Sequence, residues 1–316
     1  IGFGGIPIQT PPEEAAVGLV RESLDLGITF IDTSRMYTCS EERIGKAIAG
    51  RRHQVVLATK SASRTGAKVQ EDLAQSLKNL GTDYVDLYQF HNVSTPDDLK
   101  AVLAAGGPLE VVQKARQDGA VRHIGITSHR LTVAREAMMT GLFETVMIGL
   151  NFVNTEAAEE ILPLAREQDV GVIVMKPMAG GMLEKPVLAF KYLQQFPGIL
   201  TLIGIARQGE MAEVMKIVDA GGQLTDAENR DYAGALAGVT YAYVLGEGAK
   251  ITERLVFYPS FDETDDWRLS SETAAQAVLS RRFALKLAYI LRFDNVPPIG
   301  YTSTDTTTTA SLVWSF

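Results

Sequence analysis

Four side chains carry most of the chemistry this sequence can offer: Asp32, Tyr37, Lys60 and His91. Asp32, Lys60 and His91 each end a short apolar run, ITFID, QVVLATK and YVDLYQFH, and Tyr37 follows Asp32 closely. A lysine among apolar neighbours is costly to desolvate unless an anion pairs with it, and Asp32 on the preceding run is the natural partner. A phenol ionises near pH ~10 in water, and an ammonium beside it favours phenolate, so Tyr37 next to Lys60 is expected to have a lowered pKa and to act as a general acid. His91 can donate a hydrogen bond to a carbonyl oxygen or help move the proton. Singly, these residues read as a buried ion pair, a packing tyrosine and a strand-end histidine. Together they read as a device for protonating a carbonyl oxygen. A Schiff-base role for Lys60 is disfavoured, because Asp32 keeps the amine protonated.

Something must bring the four together, and the pattern around them says what. Eight apolar, β-branched runs recur, beginning at Ile1, Ile28, Gln54, Tyr84, His123, Thr145, Gly171 and Ile199, each followed by a polar or glycine-containing turn and a helical segment. The helices include PPEEAAVGLVRESLDLG, SEERIGKAIAG with Ser40 as its expected N-cap, LEVVQKARQDG, and TEAAEEILPLAREQD as one helix. Strict alternation implies right-handed crossovers and a parallel sheet, and eight strands favour an α/β (β/α)8 TIM barrel. An open dinucleotide-binding sheet would want G-x-G-x-x-G in its first turn, which GFGG does not supply. Period-two alternation then points Asp32, Lys60 and His91 toward the barrel axis, at the strand ends where such barrels place their active sites.

The barrel pattern is expected to occupy residues 1–222, with residues 223–316 as a C-terminal extension of uncertain order. Within that extension, ETAAQAVLSRRFALKLAYILRF from Glu272 reads as one amphipathic helix, and TSTDTTTTAS reads as low-complexity and mobile. Either a cap on the barrel or a poorly ordered, even non-native, addition fits this stretch.

Composition narrows the function classes. The 316 residues are 46% hydrophobic and 22% charged, ordinary for a globular chain. A net charge of −8 argues against general binding to nucleic acid or an anionic membrane. No apolar run approaches the ~18 residues of a membrane-spanning helix, and no signal segment opens the chain, so a cytoplasmic location is expected. Ile1 opens the sequence inside an apolar stretch, as a chain lacking its natural start would. One cysteine, Cys39, cannot make an internal disulfide or hold an iron–sulfur cluster, and reads as an inert small residue. His123 and His129 lack companion ligands for a metal.

FIDTSRMY followed by SEERIGKAI, then LATK, DYVDLYQFH, GITSH and KPMAGG, resemble in order and spacing the successive strand-end motifs of the aldo-keto reductase family, from Ile1 to about Gly221. The resemblance implies an NADPH- or NADH-dependent enzyme, NADPH being preferred on family grounds, that reduces an aldehyde or ketone with Asp32, Tyr37, Lys60 and His91 as catalytic tetrad. It carries cofactor contacts onto Gly4, Ser128, His129 and Asn151, onto Lys176, Met178, Gly180 and Gly181 on the pyrophosphate side, and onto Ile205 and Arg207 on the adenosine side. Phosphate sites in such barrels commonly lie after strands seven and eight, which agrees with the last two groups. Two departures stand out: Met175 or Met178 replaces an aromatic ring over the nicotinamide, and Glu210 stands where an arginine often meets the 2′-phosphate. The branch resembled often carries a cysteine-rich ferredoxin-like tail, whose cluster a single cysteine cannot build. A cofactor-sensing protein with weak turnover is the alternative on the same barrel.

Overall fold

The computed structural model describes residues 1–181, 183, 185–222, 237–245, 249–259, 267–278, 283–294 and 304–314. The strands β1 (Gly2–Gly4), β2 (Phe30–Asp32), β3 (Val56–Ser61), β4 (Val85–Phe90), β5 (Val121–Thr127), β6 (Thr145–Gly149), β7 (Gly171–Met175) and β8 (Ile199–Ile203) each pair in parallel with their sequence neighbours. β1 also pairs with β8, so the sheet closes and leaves no edge. The (β/α)8 barrel read from the alternation is therefore the fold of this part of the chain.

Side-chain alternation builds two apolar compartments. One face of each strand turns inward, where Ala58, Leu87, Met147, Ile173 and Leu202 form a cluster with Phe30, Met175 and Leu200. The other face meets the helices α1 (Glu13–Asp25), α2 (Ser40–Ile48), α3 (Gly66–Leu80), α5 (Pro108–Gln117), α6 (Leu131–Met139), α9 (Pro186–Gln194) and α10 (Glu210–Ala220) in the larger core. The inner cluster fixes the site by arithmetic: two residues beyond Phe30, Ala58 and Leu87 along their strands come Asp32, Lys60 and Gln89.

Three local expectations need correction. TEAAEEILPLAREQD is two helices, α7 (Glu156–Glu160) and α8 (Leu162–Glu167), because Pro163 lacks an N–H and restarts the helix at its first turn. An additional helix, α4 (Pro96–Leu103), precedes α5 and begins with a capping box between Thr95 and Asp98. The N-cap of α2 is Cys39, not Ser40, whose hydroxyl instead donates to the Gly5 carbonyl at 2.8 Å and accepts from Thr33 at 2.9 Å.

The chain divides into two compact units, Ile1–Leu224 and Thr225–Phe316. The second contains an antiparallel sheet of β9 (Ala237–Val244), β10 (Ala249–Pro259), β11 (Trp267–Val278), β12 (Phe283–Asp294) and β13 (Thr304–Trp314), each paired with its sequence neighbour. The helix expected from Glu272 is thus two strands, β11 and β12; residues 279–282 between them lie outside the described residues. Leu285, Leu287 and Tyr289 alternate with Lys286 and Ala288, a period of two that the helical reading overlooked. The threonine-rich stretch expected to be mobile is strand from Thr304 onward, since β-branched residues suit a pleated sheet once β12 offers a partner.

Candidate active site

At the carboxyl ends of β2 and β3, Lys60 Nζ donates to Asp32 Oδ2 at 2.5 Å and to the Thr33 carbonyl at 2.6 Å. Both side chains are almost wholly buried, at 2% and 5% exposure. Gln89 Nε2 donates to the other oxygen, Asp32 Oδ1, at 3.1 Å, so the carboxylate is engaged on both sides. Tyr37, in the turn after β2, lies with its ring centroid 5.0 Å from Lys60 Nζ and meets the His91 ring edge-on at 5.7 Å. All four candidates from the strand ends therefore occupy one neighbourhood at one rim of the barrel.

Burial dominates their electrostatics. It raises Asp32 and lowers Lys60, with the partner's charge opposing the shift in each case. His91 is pushed down to about 3, first by burial and then by the charge of Lys60, so its imidazole is neutral at ordinary pH. Tyr37 departs from expectation: burial and then the Asp32 charge push its pKa up, not down. Desolvation acts on the phenolate directly and the Asp32 carboxylate adds to it, so the lowering anticipated from Lys60 does not set the direction of the shift.

Several supporting residues carried no site role in the motif reading. Ser34, fully buried, places its Oγ 2.9 Å from His91 Nδ1. Glu41, in the first turn of α2, is also fully buried and accepts from Thr59 at 2.7 Å, Arg35 at 2.9 Å and Asn79 at 3.1 Å. Arg64 donates to the carbonyls of His91 and Asn92 at 3.0 and 2.9 Å, bracing the turn after β4. Gln89 shares the inward face of Leu87 and His91, and that register was the signal that could have found it.

The residues assigned by resemblance to a cofactor are distributed along the same rim. Gly4 ends β1, where an added Cβ would lie 3.4 Å from the Ile203 carbonyl. Ser128 and Asn151 follow β5 and β6, both buried; Ser128 Oγ accepts the Arg130 N–H, and Asn151 Nδ2 donates to the Lys176 carbonyl at 3.0 Å. His129 is pulled down by burial and then by the charge of Lys176. The turn after β7 has left-handed backbone at Lys176 (φ 58°), Gly180 (φ 76°) and Gly181 (φ 95°), and a Cβ at either glycine would meet nothing within 4 Å. Those glycines serve backbone shape in an open loop. Met178 packs partly buried against the core, and Ile205 is buried.

After β8, the backbone N–H groups of Ala206 and Arg207 donate to Glu210 Oε2 at 2.7 and 3.0 Å, and Arg207 Nε donates to Oε1 at 2.7 Å. The donors at the start of α10 thus hold an anion, supplied here by the chain itself. That donor set fits a phosphate-bearing group, with the Glu210 carboxylate as its competitor. His123 belongs elsewhere: it is exposed and pairs with Glu144.

A sequence profile described as "Aldo/keto reductase family" matches residues 1–229. The chain belongs to the aldo/keto reductase family. It is 31% identical over 202 residues to the uncharacterized oxidoreductase YqkF of Bacillus subtilis (strain 168), covering 59% of this chain and 63% of that one. It is also 31% identical over 202 residues to L-galactose dehydrogenase of Arabidopsis thaliana, covering 58% and 62%. The chain thus spans about three-fifths of the length of these curated relatives. Among solved structures, aldo-keto reductase AKR11C1 from Bacillus halodurans (holo form) superposes with a TM-score of 0.64 at 25% identity, covering 73% of this chain and 89% of that one. The aldo-keto reductase from Klebsiella pneumoniae in complex with NADPH shares the fold, with a TM-score of 0.63 at 22% identity over 73% and 88%. A second profile, "Protein of unknown function, DUF481", matches residues 207–316. The tail is therefore similar to that family, and nothing supports a ferredoxin-like module. Among the described residues no helix is long and apolar enough to cross a membrane.

Proposed function

We propose that the barrel reduces an aldehyde or ketone to an alcohol using NADPH or NADH, with Tyr37 as the proton donor. The observation that carries this reading is the buried Asp32–Lys60 pair lying beside Tyr37 and His91 at the strand ends. When bound, the dinucleotide supplies the hydride that adds to the carbonyl carbon. Gly4, Ser128, His129 and Asn151 would hold its nicotinamide side, the turn containing Lys176, Met178, Gly180 and Gly181 its pyrophosphate, and Ile205, Arg207 and Glu210 its adenosine side.

The chain's own residues handle the oxygen. His91, neutral at working pH, offers a ring N–H to the carbonyl oxygen and fixes its position. Tyr37 gives up its phenolic proton to that oxygen as the C–O bond gains charge, which completes the two-electron, one-proton balance. The Lys60 ammonium stabilises the phenolate left behind and, with its own pKa lowered by burial, can return a proton. Asp32 keeps that ammonium in place between transfers. The redox names of the relatives at 31% identity support the same class of reaction.

Titration of the protein with each reduced dinucleotide, followed by nicotinamide fluorescence, tests the reading first. Absence of binding by both would sink it. With a panel of aldehydes and ketones, Tyr37→Phe is expected to lower turnover by about 10²–10⁴-fold while leaving dinucleotide affinity nearly unchanged. Retained turnover would remove the phenol from the mechanism, and binding without any turnover in the parent protein would favour a cofactor sensor.

A further inference from the structure

Ser34 sits two residues beyond Asp32, fully buried, where a residue with no polar duty would suffice to fill space. Its hydroxyl oxygen has three polar neighbours. The Met36 N–H donates to it at 3.2 Å, the Lys60 carbonyl lies at 3.3 Å, and His91 Nδ1 lies at 2.9 Å. A serine hydroxyl has a single proton to give, so the Lys60 carbonyl and the imidazole compete for it. The Lys60 carbonyl already accepts the Arg35 N–H at 2.9 Å, and its contact with Ser34 is the longer of the two. A neutral imidazole has one bare nitrogen that needs a donor, and Ser34 is the hydroxyl against Nδ1.

We propose that Ser34 is a positioning residue that donates its hydroxyl proton to His91 Nδ1, which places the ring's own proton on Nε2 and holds the ring so that Nε2–H can serve as the donor at the site. The inference deepens the reductase reading and rests on it for the use made of Nε2–H, while the tautomer itself is a property of the protein alone. In the opposite arrangement Nδ1–H would donate to Ser34 and Nε2 would present a lone pair, which cannot hold a carbonyl oxygen. The choice of hydroxyl proton direction therefore decides whether His91 can do the work assigned to it. Packing alone would not distinguish serine from alanine here, but this bond would.

The test is nitrogen-15 NMR of the histidine side chains in the full chain without cofactor. Four histidines are present, and His91→Gln identifies the signal. The expected result is an unprotonated Nδ1 shifted by accepting a hydrogen bond, which moves toward the free-acceptor position in Ser34→Ala. A protonated Nδ1 in the parent protein overturns the proposal, as does an Nδ1 signal that Ser34→Ala leaves unmoved. If the barrel turns over a carbonyl, Ser34→Ala should lower kcat about tenfold, the worth of one ordinary hydrogen bond, with the dinucleotide KM unchanged. The NMR result stands without turnover, so failure of the reductase reading and failure of the Ser34 assignment are separate outcomes.

Discussion

Replacing Lys60 with methionine isolates the buried pair. Methionine keeps the apolar length of the side chain and removes its charge, leaving Asp32 with Gln89 as its remaining side-chain donor at 3.1 Å. Breaking a buried pair by removing one partner costs about 3–5 kcal/mol, because the other charge stays desolvated and uncompensated. In a barrel of this size each kcal/mol shifts Tm by about 2–4 °C, so Lys60→Met should melt roughly 6–20 °C lower. The cost must depend on pH. Burial already raises the Asp32 carboxyl, and loss of Lys60 removes both of the Lys60 effects that lower it. A carboxyl whose folded pKa lies above its unfolded value of about 3.9 binds more protons in the native state, so stability falls as pH rises from that value through the folded pKa, by about 1.4 kcal/mol per pH unit. Melts followed by far-ultraviolet circular dichroism at about pH 5 and pH 8 should therefore show the larger deficit at the higher pH. Asp32→Asn combined with Lys60→Met should recover most of it and abolish the pH dependence. If Lys60→Met at pH 8 is no less stable than the double variant, or its deficit is flat with pH, the pair is not held as a desolvated ion pair and the reasoning fails.

Two other perturbations follow from the same geometry. His91 is lowered from 6.5 to about 3, so below pH ~6.5 the unfolded chain takes up a proton that the folded chain refuses, and stability is lost progressively as pH falls toward 3. The full effect is roughly 5 kcal/mol, and the carbon-bound proton resonances of His91 should show a neutral ring down to about pH 4. Gly125→Ala places a Cβ 2.1 Å from Thr145 Oγ1 and 3.2 Å from Gln89 Cγ, inside the barrel beneath the Asp32 contact. A loss of about 1–3 kcal/mol in urea unfolding is expected, together with a weakened Gln89–Asp32 bond; an unchanged midpoint would show that the interior has room to spare.

The barrel was legible because its signal is redundant: eight apolar runs, each with a turn and a helical segment, leave few other topologies. The rim was legible for the related reason that a charged residue ending an apolar strand has few places to point. Glu41 was not, since the second residue of a helix ordinarily meets solvent and the dipole, and only the packing of α2 against β3 and α3 buries its carboxylate among Thr59, Arg35 and Asn79. Ser34 was hidden for another reason. Its role depends on the turn after β2 coming within 2.9 Å of a histidine 57 positions away, which no local pattern encodes. The tail misled because Leu285, Ala288, Tyr289 and Phe293 satisfy a helical spacing as well as Leu285, Leu287 and Tyr289 satisfy a strand, and the choice was made by strand partners on both sides.

The reversal at Tyr37 sharpens the division of labour at the rim. Burial moves all four groups toward their neutral forms: Asp32 and Tyr37 upward, Lys60 and His91 downward. A neutral His91 with pKa near 3 carries no dissociable acid proton at working pH, so it can orient an oxygen but is a poor source of the proton that oxygen finally takes. A phenol whose pKa is raised holds its proton until the substrate oxygen becomes basic enough to claim it, which ties protonation to charge development instead of preceding it. Lys60 is then the group whose shift favours release, and Asp32 is what prevents that release in the resting protein. Within the proposed reaction, proton delivery thus requires Tyr37 and Lys60 in sequence, with His91 and Ser34 confined to geometry.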